Sequence, residues 1–447
     1  MRTVGQGSVG QRVRRQPKAA ISGIPLTRRN VRNGALTGAS ALRPRNAQLL
    51  ARNALALLRR EPWRGHVADA ADDAMRLEAL ADGALQWICR SQDRVGSGGV
   101  GDRTFHGWTP GYPEVTGYII PTFWDYHELL GRDELAERAI RMAEWELRLQ
   151  KSEGGFESLY EGEGRPPVVF NTGQVIRGLT RTYLATRDGR FLDAAVRAAD
   201  WIVANQEPDG SWTKANYLGM KRTYDVYAAA GLAQLATVTS EDRYASAAIA
   251  NCEFAVRHQR DNGWFDLCDN TPQGNTTPST HTLCYTIDGL LETGTALRED
   301  GFVAAAERSA GALLDAVDPT GRLPGRFDSD WRPSAGYVVV TGSAQLGVIL
   351  MKLFLRTRTR RQLETALKLL DFLAYVQQLN SVDADRAGGL PGSFPIWGRY
   401  VPLKHPSWAT KFYLDHLRLV RIWVDDFHSP AANAGASPED GVAPGAR

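Results

Sequence analysis

The stretch from Asn171 to Trp212, NTGQVIRGLTRTYLATRDGRFLDAAVRAADWIVANQEPDGSW, reads as one helical hairpin, and copies of its pattern run through most of the chain. Its first half sets Val175, Ile176, Leu179 and Tyr183 at helical spacing, breaks at Asp188-Gly189, and restarts with Leu192, Val196, Ala199 and Val203 on a second apolar stripe. Gln206, Gly210 and Trp212 end it. The same order recurs elsewhere: a neutral helix, a short turn, a charged helix ending in Gln, then a Gly-rich aromatic stop. A unit of this kind buries its apolar face only by stacking on its neighbours.

Helices are predicted at about 69–92, 115–130, 133–150, 172–187, 190–206, 223–237, 241–259, 281–297, 300–317, 341–357, 359–378 and 406–424, twelve helices in six hairpins. Neutral and charged members alternate: 133–150 holds eight charged residues, whereas 223–237 holds only Asp225. A helix apolar all round is buried and one with a charged face lies at the surface. Six inner helices ringed by six outer ones make an all-α, closed (α/α)6 toroid. Tyr227, Ile287 and Leu346 belong inside it and Glu137, Arg197 and Arg361 outside. Pro121 should kink the second helix or delay its start, because proline removes a backbone donor and clashes with the preceding turn. Long loops at 96–113, 266–280, 318–340 and 383–405 are of a length that compact domains keep for function.

Charge is uneven although the net value is only +3, which gives no reason to expect nucleic acid. Residues 1–60 carry thirteen Arg or Lys and no Asp or Glu. Residues 1–68 are therefore expected to be a basic, mostly disordered tail, within which 47–58 can form a short amphipathic helix that touches anionic surfaces weakly. The toroid domain is expected at 69–425 and a Pro, Gly and Ala-rich disordered tail at 426–447. No apolar run approaches a membrane span, no secretory signal stands in order at the start, and Arg28-Arg29 is a poor twin-arginine candidate. Four cysteines are too few for a disulfide scaffold, and the expected compartment is the cytoplasm.

Gln206, Gly210 and Trp212 match the Gln-x-x-x-Gly-x-Trp signature of terpenoid cyclases, with looser copies at Gln259-Gly263-Trp264 and Gln150-Gly155-Phe156. In that family the motif ties an outer helix to a loop. The Asp-x-Asp-Asp acid of those cyclases has no counterpart here, and the Asp-x-Cys of zinc prenyltransferases is met by Asp266-Leu267-Cys268 without its distant histidine. The chain is more similar to six-hairpin toroid proteins encoded with bacterial exopolysaccharide genes, and to six-hairpin glycosidases and polysaccharide lyases. Glu114-Val-Thr-Gly-Tyr, Phe170-Asn-Thr-Gly-Gln, Thr280-His-Thr-Leu-Cys-Tyr, Thr341-Gly-Ser-Ala-Gln and Gly392-Ser-Phe-Pro-Ile-Trp-Gly-Arg-Tyr carry that likeness. It implies carbohydrate chemistry in polysaccharide metabolism.

Each inner helix opens on polar residues, and in a toroid those ends converge. Glu114 and Asp225 are candidate acid and base, with His281 and Tyr285 suited to taking a proton from a sugar carbon. Asn171, Gln174, Tyr224, Gln345, Trp408 and Lys411 on the helices, with Trp108, Trp264, Trp397 and Arg399 on the loops, are candidate sugar contacts, since sugars meet aromatic faces and hydrogen-bonding groups. Helix N-termini favour anions, so with Lys411, Arg222 and Arg399 near them an acidic polysaccharide or oligosaccharide is expected. The amides of Asn171 and Gln174 argue against an isoprenoid pocket. Capping by Thr172, Asp225 or Thr341 and a core role for His281 stay open as plainer readings. So do a noncatalytic glycan-binding toroid and an isoprenoid-handling enzyme. Zinc on Asp266, Cys268, His281 and Cys284 is a poor alternative without a Cys-x-x-Cys pair, and no cofactor or metal is expected.

Overall fold

A computed structural model describes residues 43–57, 70–271 and 276–427. The helices are α1 Pro44–Leu57, α2 Ala70–Val95, α3 Pro113–Leu130, α4 Asp133–Leu149, α5 Val169–Thr186, α6 Gly189–Ala204, α7 Val226–Thr239, α8 Asp242–Arg257, α9 Thr280–Leu297, α10 Asp300–Asp315, α11 Val340–Thr357, α12 Arg360–Leu379 and α13 Ser407–Phe427. Sheet among the described residues is one two-stranded pair, Val338–Val339 against Ser393–Phe394.

The odd-numbered helices α3 to α13 form the inner ring, each packed on the next, and α13 returns to α3. The even-numbered helices α2 to α12 wrap them. Tyr227, Ile287 and Leu346 are buried, and Glu137, Arg197 and Arg361 are exposed. Five hairpins run inner to outer along the chain, but the sixth joins its two ends: α2, the first outer helix, packs on α13, the last inner one. The ring is thus closed by contacts nearly a whole chain apart.

Local chemistry makes each hairpin turn. Inner helices α3, α5, α7, α9 and α11 all end on a left-handed residue whose N–H bonds back into the last turn, Gly131, Arg187, Ser240, Arg298 and Arg358. In the founding hairpin the left-handed residue is Arg187, and Asp188 starts α6 by accepting the Arg190 N–H at 3.0 Å.

The Gln-Gly stop ties one outer helix to the next. Gln206 Nε2 donates to the Gly210 carbonyl at 3.0 Å and to that of Ala247 on α8 at 2.9 Å. Gln150 reaches Ala194 on α6 and Gln259 reaches Ala305 on α10, both at 2.8 Å. Gln92 and Gln377, which the sequence motif does not single out, do the same towards Arg138 and Leu80. Gly210 has φ +85°, and a Cβ there would stand 2.1 Å from the Ala250 carbonyl oxygen, so the stop needs glycine both for its backbone and for the close approach.

Two expectations change. Pro121 neither delays nor ends its helix: α3 begins earlier than expected, at Pro113, and continues through Pro121 to Leu130. The Gly117 carbonyl that Pro121 leaves without a helical partner lies against Gly178 of α5, where a Cβ would come within 2.4 Å of it. Within the expected N-terminal tail, residues 44–57 form a helix whose buried face of Asn46, Leu49, Asn53 and Ala56 is seated on the protein. The remaining calls on residues 1–42, 58–69 and 428–447 lie outside the described residues. Among the described residues no helix is long and apolar enough to cross a membrane.

Candidate active site

Inner-helix N-termini and the loops before them make one end of the ring. Glu114 sits in the first turn of α3, half-buried, and its Oε2 accepts a 2.7 Å hydrogen bond from the Tyr112 hydroxyl. Burial pushes the Glu114 carboxyl up to about 7, against the opposing Tyr112 bond and with help from the charge of Asp102. Burial raises the phenols of Tyr118, Tyr224, Tyr285 and Tyr400, and the nearby Glu114 charge adds to each shift. Tyr112 packs edge-on to Tyr160 and Trp408. The Tyr160 hydroxyl donates to Asp102 Oδ2 at 2.8 Å, and Asp102 Oδ1 accepts the Ser407 N–H and hydroxyl at 3.0 Å, fixing the start of α13.

His281 faces Glu114's tyrosines from α9. Its Nδ1 donates to Gln345 Oε1 at 2.8 Å, which leaves Nε2 with a free lone pair. Burial holds the imidazole down at about 4, so it is neutral at pH 7, with the Gln345 bond acting the other way. Its ring lies 4.2 Å from Tyr285 and 5.6 Å from Tyr400. Tyr400 accepts the Trp408 indole N–H at 3.0 Å. Trp108 is half-buried against Trp87, and Trp397 and Arg399 stand exposed on the loop that carries Tyr400.

Beneath this opening the rings of Phe170, Tyr227, Tyr285 and Phe412 close on one another across the axis, Tyr285 at 4.9 Å from Phe170 and 4.7 Å from Tyr227. Deeper still, the buried Arg177 and Asp288 and the half-buried Glu292 and Lys352 form an ion network, with Lys352 at 2.6 Å from Asp288 and 2.8 Å from Glu292. Two small cavities, about 20 and 10 Å³, lie at the far end of the ring beside Leu77, away from this chemistry.

Six of the residues read from sequence as site groups are placed elsewhere. Asp225 is wholly buried on the turn before α7, where its Oδ2 accepts from Asn216, and burial pushes its carboxyl up to about 8. Asn171 spends its Nδ2 on the Glu157 carbonyl of the loop above at 3.1 Å, and Gln174 its Nε2 on the Phe170 carbonyl one turn back in its own helix at 3.3 Å. Their amides therefore no longer argue against an isoprenoid. Trp264 is 1% exposed and packs edge-on to Trp331 as the stop of its own repeat. Lys411 points down the lumen, bonded to Asp415 at 2.6 Å and lying over Phe412. Arg222 is buried on the carbonyls of Asp269 and Thr271.

The cap readings change as well. Thr172 does not cap α5; its hydroxyl accepts the Phe156 N–H at 3.0 Å, as Thr116 and Thr410 accept those of Val100 and Leu390. The four residues weighed for zinc do not converge: Asp266 pairs with Arg260, Cys268 contacts Thr286, Cys284 contacts the Gly342 carbonyl and His281 holds Gln345. Tyr112 and Tyr160 were missed, since single tyrosines on a loop carry no pattern that marks them, and Tyr118 stood in the Glu114-Val-Thr-Gly-Tyr stretch without a role of its own.

No family model matches the chain, and no curated protein is similar to it in sequence. Solved structures are similar in fold. An unsaturated glucuronyl hydrolase specific for heparin superimposes with a TM-score of 0.60 at 14% identity, over 78% of this chain and 97% of its own. A cellobiose 2-epimerase from Bacillus thermoamylovorans B4167 gives 0.61 at 11% identity, over 77% and 99%. A polysaccharide lyase gives 0.55 at 14%, over 71% and 92%. The chain is therefore an (α/α)6 toroid of the six-hairpin architecture that these hydrolases, epimerases and lyases share.

Proposed function

We propose that the chain is a carbohydrate-active enzyme, a glycoside hydrolase or polysaccharide lyase, that takes a uronate-bearing oligosaccharide at the opening between α3, α9 and α13. The observation that carries this is Glu114, a half-buried carboxyl that accepts from Tyr112 and is raised by burial to about 7, at an opening where Tyr285 and Tyr400 also meet His281. A carboxyl that keeps a large share of its proton at neutral pH can serve as a general acid, and a neutral histidine can accept a proton, the two roles that cleavage between sugars uses. Glu114 gives its proton to the glycosidic oxygen as the C–O bond breaks. His281 Nε2 takes a proton from the attacking water in hydrolysis, or from the carbon beside the carboxylate in elimination. Tyr285 and Tyr400 hold the ring between them, and Trp397 and Arg399 meet the rest of the chain. Polysaccharide metabolism in the cytoplasm is the setting this reading favours, supported by four free cysteines. The exposed Arg43, just before α1, and Arg45 on it add a weak attraction for anionic chains or surfaces.

A glycan-binding toroid without turnover is the second reading, favoured by the burial of Asp225, which removes the expected second carboxylate from the opening. An isoprenoid is disfavoured because the lumen's rings fill the axis against one another. Unsaturated uronyl disaccharides and neutral cello-oligosaccharides, followed by loss of unsaturated-uronate absorbance and by reducing ends, separate these readings. Glu114→Gln should lower turnover by ~10² or more and abolish the limb of the pH profile near 7, with no loss of thermal stability at pH 7. Binding without turnover in the parent protein would leave the second reading; full activity in the variant would refute the acid role.

A further inference from the structure

Helix α1 is the element that the toroid architecture does not account for. It bridges three of the loops at the opening. Leu49, fully buried, packs with Phe105 of the loop before α3 and with Ile396 of the loop before α13. Asn46 Oδ1 accepts from Arg386 Nη1 at 2.7 Å, with both residues buried, and the Arg386 guanidinium lies 4.7 Å from the Phe105 ring. Asn53 Oδ1 accepts the backbone N–H of Ile396 at 3.1 Å. Arg52 donates to the Gln378 carbonyl at 3.1 Å, and the Ala56 carbonyl accepts from Arg322 at 3.3 Å.

The consequence lies in what Ile396 holds. Its carbonyl accepts the Leu403 N–H at 2.8 Å, closing a compact loop of residues 396–403 that carries Trp397, Arg399 and Tyr400. Ser393 donates to the Tyr400 carbonyl at 2.6 Å, and the Tyr400 ring then reaches His281 and Trp408. Two of the four buried residues of α1 are asparagines, so specific hydrogen bonds rather than a broad apolar face seat the helix.

We propose that α1 is a positioning strap: Asn53 and Leu49, through Ile396, hold the 396–403 loop so that Tyr400 stands over the opening. Asn53 and Leu49 touch no substrate in this arrangement and act through Tyr400. The inference rests on the proposed site only for its effect on sugar binding; the tie from α1 to the loop stands apart from it.

Hydrogen exchange of the full chain tests the tie directly. In Asn53→Ala and Leu49→Asp, peptides spanning 393–404 should exchange at least tenfold faster, while peptides of α5, α7 and α9 keep their protection. Leu55→Ala, on the exposed face of α1, should change neither. Titration with an unsaturated uronyl disaccharide should show roughly tenfold weaker binding in the first two variants, a loss that Kd reads directly. Unchanged exchange at 393–404, or loosening spread evenly through the ring, overturns the strap. Faster exchange confined to 393–404 in the two variants, together with a parent protein that binds no uronyl disaccharide, would keep the strap and overturn the proposed substrate.

Discussion

Asp225→Asn separates a structural carboxyl from a catalytic one. Asp225 is fully buried, its Oδ2 accepts from Asn216, and its Oδ1 has no hydrogen-bond partner among the described residues. Burial is the leading cause that moves it from an ordinary 3.8 to about 8, opposed by the Asn216 bond and the Arg222 charge. The folded protein therefore holds a proton at pH 7 that the unfolded chain releases. A raised carboxyl contributes its full stability below pH ~4 and loses it as pH rises through about 8. At about 1.4 kcal/mol for each tenfold change in proton affinity, the loss by pH 7 is on the order of 4 kcal/mol. Asparagine keeps the shape and still accepts from Asn216, but it leaves an unpaired N–H₂ that costs ~1–3 kcal/mol. The variant should thus be less stable than the parent at pH 4 and more stable at pH 8, by ~2–4 kcal/mol there. Urea unfolding of both proteins at pH 4 to 9 reads the difference directly, and turnover at pH 7 should survive. Parallel pH curves for the two proteins, or a 10²-fold loss of turnover at intact stability, would refute the reasoning.

Other perturbations follow from the same geometry. Gly210→Ala, which drives a Cβ to 2.1 Å from the Ala250 carbonyl at φ +85°, should cost more than Gln206→Ala, which loses two hydrogen bonds worth ~1–3 kcal/mol together; thermal melts rank them. Arg177→Met removes one of the two cations on Glu292, leaving Lys352 at 2.8 Å, and should cost ~1–3 kcal/mol in chemical unfolding, part of it recovered in the double variant with Glu292→Gln. Glu146, buried on α4 with both oxygens unpaired among the described residues, is pushed well up by burial and then by Glu161. Glu146→Met should raise the melting temperature at pH 8 and much less at pH 5; an equal gain at both would show that packing, not charge burial, is at work.

Local periodicity was enough to read the helices and their alternation, because a helix's faces are set by residues three and four apart. The three stops at Gln150, Gln206 and Gln259 were legible for the same reason: their partners are near in sequence or one repeat on. What a side chain meets at the end of its reach depended on the ring. Asn171, Gln174 and Lys411 all stand near inner-helix starts, yet the first two turn to backbone carbonyls and the third points down the axis to Asp415. Helical pattern places a residue on a face; it does not say whether a loop folds over that face and claims its donors. Glu114 and His281 were recognisable as polar groups on neutral helices, but their shifts come from burial that only the closed lumen supplies. The pairing of α2 with α13 and the seating of α1 on Arg386 and Ile396 join residues roughly three hundred positions apart. No short-range pattern encodes such contacts, and the tertiary structure alone decided them.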